Sequence, residues 1–143
     1  HADRDLLGLG VSSISHIGET FSQNPRTLPE WEIAVDEGRL PVWRGLRMTD
    51  DDVLRGEVIQ QLMCQGRIDK SRFERRFDID FDAYFSEALE QLQPLVGEGL
   101  VLLQPGVIQV TSQGRFLLRI IAMCFDAYLA PAAASSPRFS KAI

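Results

Sequence analysis

The segment Leu6-Leu7-Gly8-Leu9-Gly10-Val11 is a near-continuous apolar run that ends in the small polar residues Ser12 and Ser13. Such a run reads as a strand buried on both faces, the kind that parallel sheets contain. A buried strand needs partners on both edges, because unpaired backbone groups are costly away from water. The next strand-like pattern, Leu100 to Leu103 with Val107 to Val110, suits a hairpin of its own. The run at 6–11 is therefore expected to sit in a sheet whose other strands lie upstream. The chain opens at His1 without a start methionine, which fits a piece of a longer protein.

Downstream, the punctuation is that of helices. Thr27 and Glu30 have the spacing of a capping box, and Gly38 closes a helix expected over about 28–37. Pro and Gly between Arg39 and Gly45 suggest a linker. Thr49, followed by Asp50, Asp51 and Asp52, caps a second helix with Val53, Leu54, Val58, Leu62 and Met63 on one stripe, ended by Gly66. A short basic helix follows near Ser71 to Phe77. Asp80 then caps a helix carrying Phe81, Tyr84, Phe85, Ala88, Leu89 and Leu92, which Pro94 is expected to kink or restart. Pro105-Gly106 joins the two β runs with residues suited to a type II turn. Phe116, Leu117, Ile120, Ile121, Cys124, Phe125 and Tyr128 give a last helix a broad apolar face, and residues 130–137 form an Ala/Pro/Ser-rich tail. Three helices, a hairpin and a further helix is the order of a winged-helix domain.

Winged helices often bind DNA, but charge argues against it here. The third helix and its surroundings, from Asp80 to Leu103, carry Asp80, Asp82, Glu87, Glu90 and Glu98 with no Lys or Arg. Phosphate contacts need cations or neutral donors, and base readout leans on Arg, Lys, Asn and Gln. A net charge of −5 points the same way. The cations Arg67, Lys70, Arg72, Arg75 and Arg76 cluster on the preceding helix among Asp69 and Glu74, which reads as a solvated surface.

No self-contained active site is legible. The histidines are His1 and His16, too few for a Ser/His/Asp or Cys/His arrangement. Asp50, Asp51 and Asp52 are consecutive, so on a helix they point in different directions and suit a cap better than a metal. Gly8-Leu9-Gly10 lacks the third glycine and following helix of a dinucleotide fingerprint. Cys64 and Cys124 have no Cys or His at ligand spacing and read as buried, reduced thiols, in keeping with a cytoplasmic location. The stretch from Phe116 to Leu129 is interrupted by Arg119 and Asp126 and is too short for a membrane span.

Several segments, in order along the chain, nevertheless resemble one family. They are Asp5 to Ser15, Gln23-Asn24, Trp43-Arg44-Gly45-Leu46, Gly114 to Arg119, Met123 to Leu129 and the terminal Phe139-Ser140-Lys141-Ala142-Ile143. Together they look like consecutive markers of the oxygen-independent coproporphyrinogen III oxidases, enzymes of the radical S-adenosylmethionine (SAM) class. The resemblance implies an upstream radical SAM barrel, with the C-terminal third of the enzyme as a cover over it. It also implies a [4Fe-4S] cluster held by Cys-x3-Cys-x2-Cys, a motif with no counterpart here, and two molecules of SAM. In that family the cluster cleaves SAM, and the resulting 5′-deoxyadenosyl radical takes hydrogen from a propionate that then loses carbon dioxide. Two rounds convert coproporphyrinogen III to protoporphyrinogen IX in haem and porphyrin synthesis.

By the same resemblance, Ile14 is the expected SAM contact; without it, Ile14 would read as core. No catalytic residue and no metal ligand is expected in the chain. The implied partners are the barrel, the porphyrinogen substrate and an electron donor such as a flavodoxin-type protein, with no nucleic acid and no membrane, in a monomer. A haem chaperone with the same C-terminal module is the alternative; a DNA-binding regulator is a more distant one. The expected fold is α+β: mainly helical with a small hairpin. Residues 1–47 would end the barrel (strand 6–11, helix about 28–37) and supply the linker. Residues 48–129 would form the winged-helix-like domain and 130–143 the tail.

Overall fold

The computed structural model describes residues 5–129, so the tail expected at 130–143 lies outside the described residues. They fall into two compact units divided between Gly56 and Glu57. No helix among them is long and apolar enough to cross a membrane.

The first unit is built on a three-stranded antiparallel sheet, β1 (Ile14–Ile17), β2 (Thr20–Gln23) and β3 (Arg44–Arg47), in that order. Gly18, at φ +54, gives the two-residue β1–β2 loop the positive φ that tight hairpins need. Helix α1 (Leu28–Asp36) enters between β2 and β3. Thr27 stands at its N-cap, but its hydroxyl donates to the Glu30 carboxylate (2.7 Å) rather than accepting from the backbone. Gly38, at φ +70, closes it as expected.

This sheet corrects two expectations. Residues 6–11 do not form a strand: Leu6 alone makes a bridge, antiparallel to His16. Two glycines explain the difference. Gly10, at φ +90, turns the chain, and a Cβ on Gly8 would stand 2.6 Å from the Ile14 carbonyl oxygen. The run is thus a loop folded onto β1, and its Leu6, Leu7 and Leu9 are exposed. The strands of this sheet lie directly downstream, too short and too polar to stand out by periodicity. Likewise Arg44 to Gly45 is strand rather than linker, with Gly45 opposite Ser22.

Helix α2 (Asp50–Gln65) begins with a reciprocal cap. The Thr49 backbone N–H donates to Asp52 Oδ2 (2.8 Å), and the Asp52 N–H donates back to Thr49 Oγ1 (3.2 Å). Leu54, Val58 and Leu62 of the expected stripe are buried, while Met63 is 44% exposed. Cys64, two residues after Leu62, turns to the outer side and is exposed, against the expectation of a buried thiol. Cys124 is half-buried, and desolvation pushes its thiol pKa up, which keeps it protonated and unreactive.

The second unit adds β4 (Arg67–Asp69), α3 (Lys70–Phe77), α4 (Phe81–Tyr84), α5 (Ser86–Gly97), β5 (Val101–Gln104), β6 (Val107–Val110), a 3-10 turn at Gly114–Leu117 and α6 (Leu118–Met123). Its sheet is antiparallel, with β4 on the free edge of β6, in the order β4-β6-β5. The core includes a run of rings: Phe73 meets Phe81 at 6.1 Å, Phe81 meets Phe85 at 4.7 Å, and Phe85 meets Phe125 edge-on at 5.6 Å.

Four details differ from expectation. The third helix breaks at Phe85, not at Pro94, and α5 runs through Pro94 to Gly97; so close to the end, Pro removes little of the ladder. Gly106 does not adopt the positive φ of a type II turn. Lys70 is not on the solvated surface but is 5% exposed, with Nζ 2.5 Å from Asp82 Oδ1. The last helix is short: Ile121, Ala122 and Phe125 are buried, but Phe116 and Tyr128 are 91% and 77% exposed.

Candidate functional site

Ile14, the one expected site residue, begins β1 and is 53% exposed. It is not core in this unit. Residues opposite each other in antiparallel strands project on the same face. The register pairs Ile14 with Gln23 and Gln23 with Arg44, then His16 with Phe21 and Phe21 with Leu46. These six residues therefore share one face. The His16 and Phe21 rings stack on it, with centroids 4.2 Å apart and planes 7° apart.

The face is largely open and apolar: besides Ile14, Phe21 is 37% and Leu46 61% exposed. His16 Nε2 is buried without a hydrogen-bond partner among the described residues. An open apolar shelf beside a stacked ring pair suits a ligand that carries a planar ring, such as a nucleoside. The residues present thus fit the adenosyl part of SAM. No group of three or more His, Cys, Asp or Glu side chains among the described residues could hold a metal. The cluster does not fit here.

The loop at 8–13 fixes where β1 starts. The Gly8 N–H donates to the Ser15 hydroxyl (3.0 Å), and the Ser12 N–H donates to the Pro25 carbonyl (2.7 Å). Asn24, 7% exposed, donates through Nδ2 to the Gly10 carbonyl (2.8 Å) and to Ser13 Oγ (3.0 Å). One amide therefore clamps a loop that would otherwise have to satisfy its backbone from water. Ser12, at φ +59, is held in the left-handed region by these bonds. The Gln23-Asn24 pair, singled out in the sequence, thus has two jobs: Asn24 ties the loop and Gln23 stands in the row with Ile14.

Sequence reasoning missed the other end of that row. Trp43 is 52% exposed, and two guanidinium groups lie over its ring: Arg26 Cζ at 5.2 Å and Arg44 Cζ at 4.8 Å from the centroid. Arg44 Nε also donates to Gln23 Oε1 (3.0 Å). The sequence signal was the Trp43-Arg44-Gly45 motif itself; the strand pairing that brings it level with Ile14 was not legible.

Comparison with known proteins finds relatives of one kind. The model of the HemN C-terminal domain matches residues 48–117. The oxygen-independent coproporphyrinogen III oxidase of Escherichia coli (strain K12) is 46% identical over 127 residues, 89% of this chain and 28% of that protein. The enzyme of the same name from Pseudomonas aeruginosa is 41% identical over 143 residues, all of this chain and 31% of that protein. A solved structure described as coproporphyrinogen III oxidase (HemN) from Escherichia coli, a radical SAM enzyme, matches with a TM-score of 0.87 at 46% identity. The match covers 90% of this chain and 30% of that one. The chain thus spans less than a third of the length of these relatives. Over residues 48–117 it is similar to the HemN C-terminal domain.

Proposed function

We propose that the chain is the C-terminal part of an oxygen-independent coproporphyrinogen III oxidase, which decarboxylates two propionates of coproporphyrinogen III to vinyl groups and yields protoporphyrinogen IX. The observation that carries this reading is the match to the Escherichia coli radical SAM enzyme, at 46% identity and a TM-score of 0.87. In this reading SAM, once bound, supplies the acceptor for the substrate's hydrogen atom. The role of this chain is to hold and enclose. Ile14 packs against SAM and excludes water from it, on a strand whose start Gly8 and Asn24 fix. The first unit supports a cover role, since its buried aliphatic side chains are Ala34 and Leu54 while Leu6, Leu7, Leu9 and Leu40 are 61–83% exposed. A free-standing domain rarely leaves so much apolar surface open. The upstream barrel of the same protein is the proposed cover, with residues 1–47 completing it.

Residues 48–129 act, in this proposal, as a winged-helix-like packing module rather than a DNA reader. The order helix, strand, three helices and hairpin supports it, as does β4 on the outer edge of β6. The helical stretch that would enter a groove exposes Asp82, Glu87, Glu90 and Glu98 and no cation. A flavodoxin-type electron donor, a monomeric state and a cytoplasmic location complete the reading.

The test is anaerobic reconstitution with iron and sulfide of two proteins, the full-length chain and residues 1–143 alone. The full-length protein is expected to take up a [4Fe-4S] cluster with its visible charge-transfer absorbance, and residues 1–143 none. A stoichiometric cluster on the short protein, held by Cys64 and Cys124, would refute the division of labour.

A further inference from the structure

We propose that Arg44 and Arg26, both seated on the Trp43 indole, form a carboxylate-binding site at the β3 end of the sheet, in the same row as Ile14. The starting observation is an unbalanced pair of cations. Their Cζ atoms lie 4.8 Å and 5.2 Å from one ring centroid, and neither guanidinium has a carboxylate in ion-pair range among the described residues. Elsewhere Arg47 meets Glu19, Arg55 meets Asp51 and Arg76 meets Glu57.

Geometry adds orientation. Arg44 Nε is spent on Gln23 Oε1 (3.0 Å), while its two terminal nitrogens have no hydrogen-bond partner among the described residues. A guanidinium steadied through Nε and stacked on an aromatic face presents its remaining donors as a fork, the arrangement that receives a carboxylate in bidentate fashion. Arg26, on the same ring, supplies a second cation for the same anion or for a neighbouring one. The indole holds both side chains, so less of their rotamer entropy is lost on binding.

Position supplies the ligand. Ile14, Gln23 and Arg44 are consecutive across β1, β2 and β3. Two interstrand spacings separate the first from the last, about 10 Å. A molecule that touches the apolar Ile14 end and places an anion on Arg44 must span that distance, with a ring at one end and a carboxylate at the other. Given the proposed function, on which this inference rests, two such molecules meet here: the porphyrinogen with its propionates and SAM with its α-carboxylate. Carboxylate is their shared chemistry, and it is what the two arginines select.

The experiment uses the full-length protein carrying Arg44→Gln, Arg44→Lys or Arg26→Gln, with melting temperature as a fold control. Two titrations are run: coproporphyrin III, against its tetramethyl ester as a probe without carboxylates, and SAM. For Arg44→Gln the dissociation constant of one carboxylate ligand is expected to rise about tenfold or more. Arg44→Lys should recover only part of the loss, because it keeps the charge without the fork. If the rise is in coproporphyrin III, with the ester's weak binding unchanged, the carboxylate is a propionate; if it is in SAM alone, the carboxylate is SAM's. Should Arg44→Gln fail to fold, the surface variant Arg26→Gln reads out the same losses. Unchanged affinity for both ligands in folded variants, with a wild type that binds them, overturns the site and spares the function. A wild type that binds neither ligand overturns the functional reading and the site with it.

Discussion

Ile14→Asp in the full-length protein is expected to abolish vinyl product while leaving the fold and the iron content in place. Ile14 is 53% exposed, so the substitution puts a carboxylate where the unit's own packing does not desolvate it. Surface changes of this kind usually alter stability by no more than about 0.5 kcal/mol. If SAM covers Ile14 in the working enzyme, the same carboxylate must be desolvated beside the cofactor, at a cost of several kcal/mol unless it is protonated or paired. Ile14→Val removes one methylene, worth roughly 1 kcal/mol, and should weaken activity only modestly. The check is product formation by both variants, with iron content and melting temperature as controls. Near-normal turnover by Ile14→Asp would remove Ile14 from the cofactor site. Loss of the fold would instead make it a packing residue.

Gly114→Ala should have the largest effect on stability. An added Cβ would stand 2.1 Å from the Leu100 carbonyl oxygen and 2.9 Å from Val110 Cγ1. That carbonyl cannot simply retreat, because it accepts from the Thr111 N–H (3.0 Å) and from Thr111 Oγ1 (3.2 Å). Thr111 Oγ1 in turn accepts from the Gly114 N–H (3.1 Å). Relief requires breaking this knot between the end of β6 and the following turn, so a loss of about 3 kcal/mol or more is expected. For a unit of this size the melting temperature should fall by more than about 10 °C. Gly97→Ala is the contrast: it lies in α5 with open space at its Cβ, and should be neutral or stabilising by about 0.5 kcal/mol. Equal behaviour of the two variants in a thermal melt would show that the close approach at Gly114 is not rigid.

Where sequence and structure agree, a local signal was decisive. The Thr49 and Asp52 cap and the hairpin around Pro105-Gly106 rest on contacts between near neighbours in sequence, and the buried Leu54, Val58 and Leu62 stand at the spacing of one helix face. Where they differ, the deciding contact is not local. Leu6 to Val11 has the composition of a buried strand, but the approach of Gly8 to the Ile14 backbone turns it into a loop. β1, β2 and β3 are four residues each, and β2 meets β3 only after α1 intervenes, so no periodicity window contains the pair. Phe116 and Tyr128 fit a helical stripe, yet Phe116 falls in the 3-10 turn before the last helix and Tyr128 beyond its end at Met123, and both are exposed. The same reason hid half of the candidate site. Ile14 came from a resemblance in its flanking motif, whereas the alignment of Ile14, Gln23 and Arg44 exists only through strand register.

The most direct test of the central claim is anaerobic incubation of the reconstituted full-length protein with coproporphyrinogen III, SAM and a one-electron donor. The porphyrins are then oxidised and separated by chromatography. The expected result is SAM-dependent conversion of both propionates to vinyl groups, giving protoporphyrin IX after oxidation, with carbon dioxide released at each step. A protein that carries its cluster and binds SAM but forms no vinyl product would contradict the account, and tight haem binding by that same protein would point to a chaperone instead.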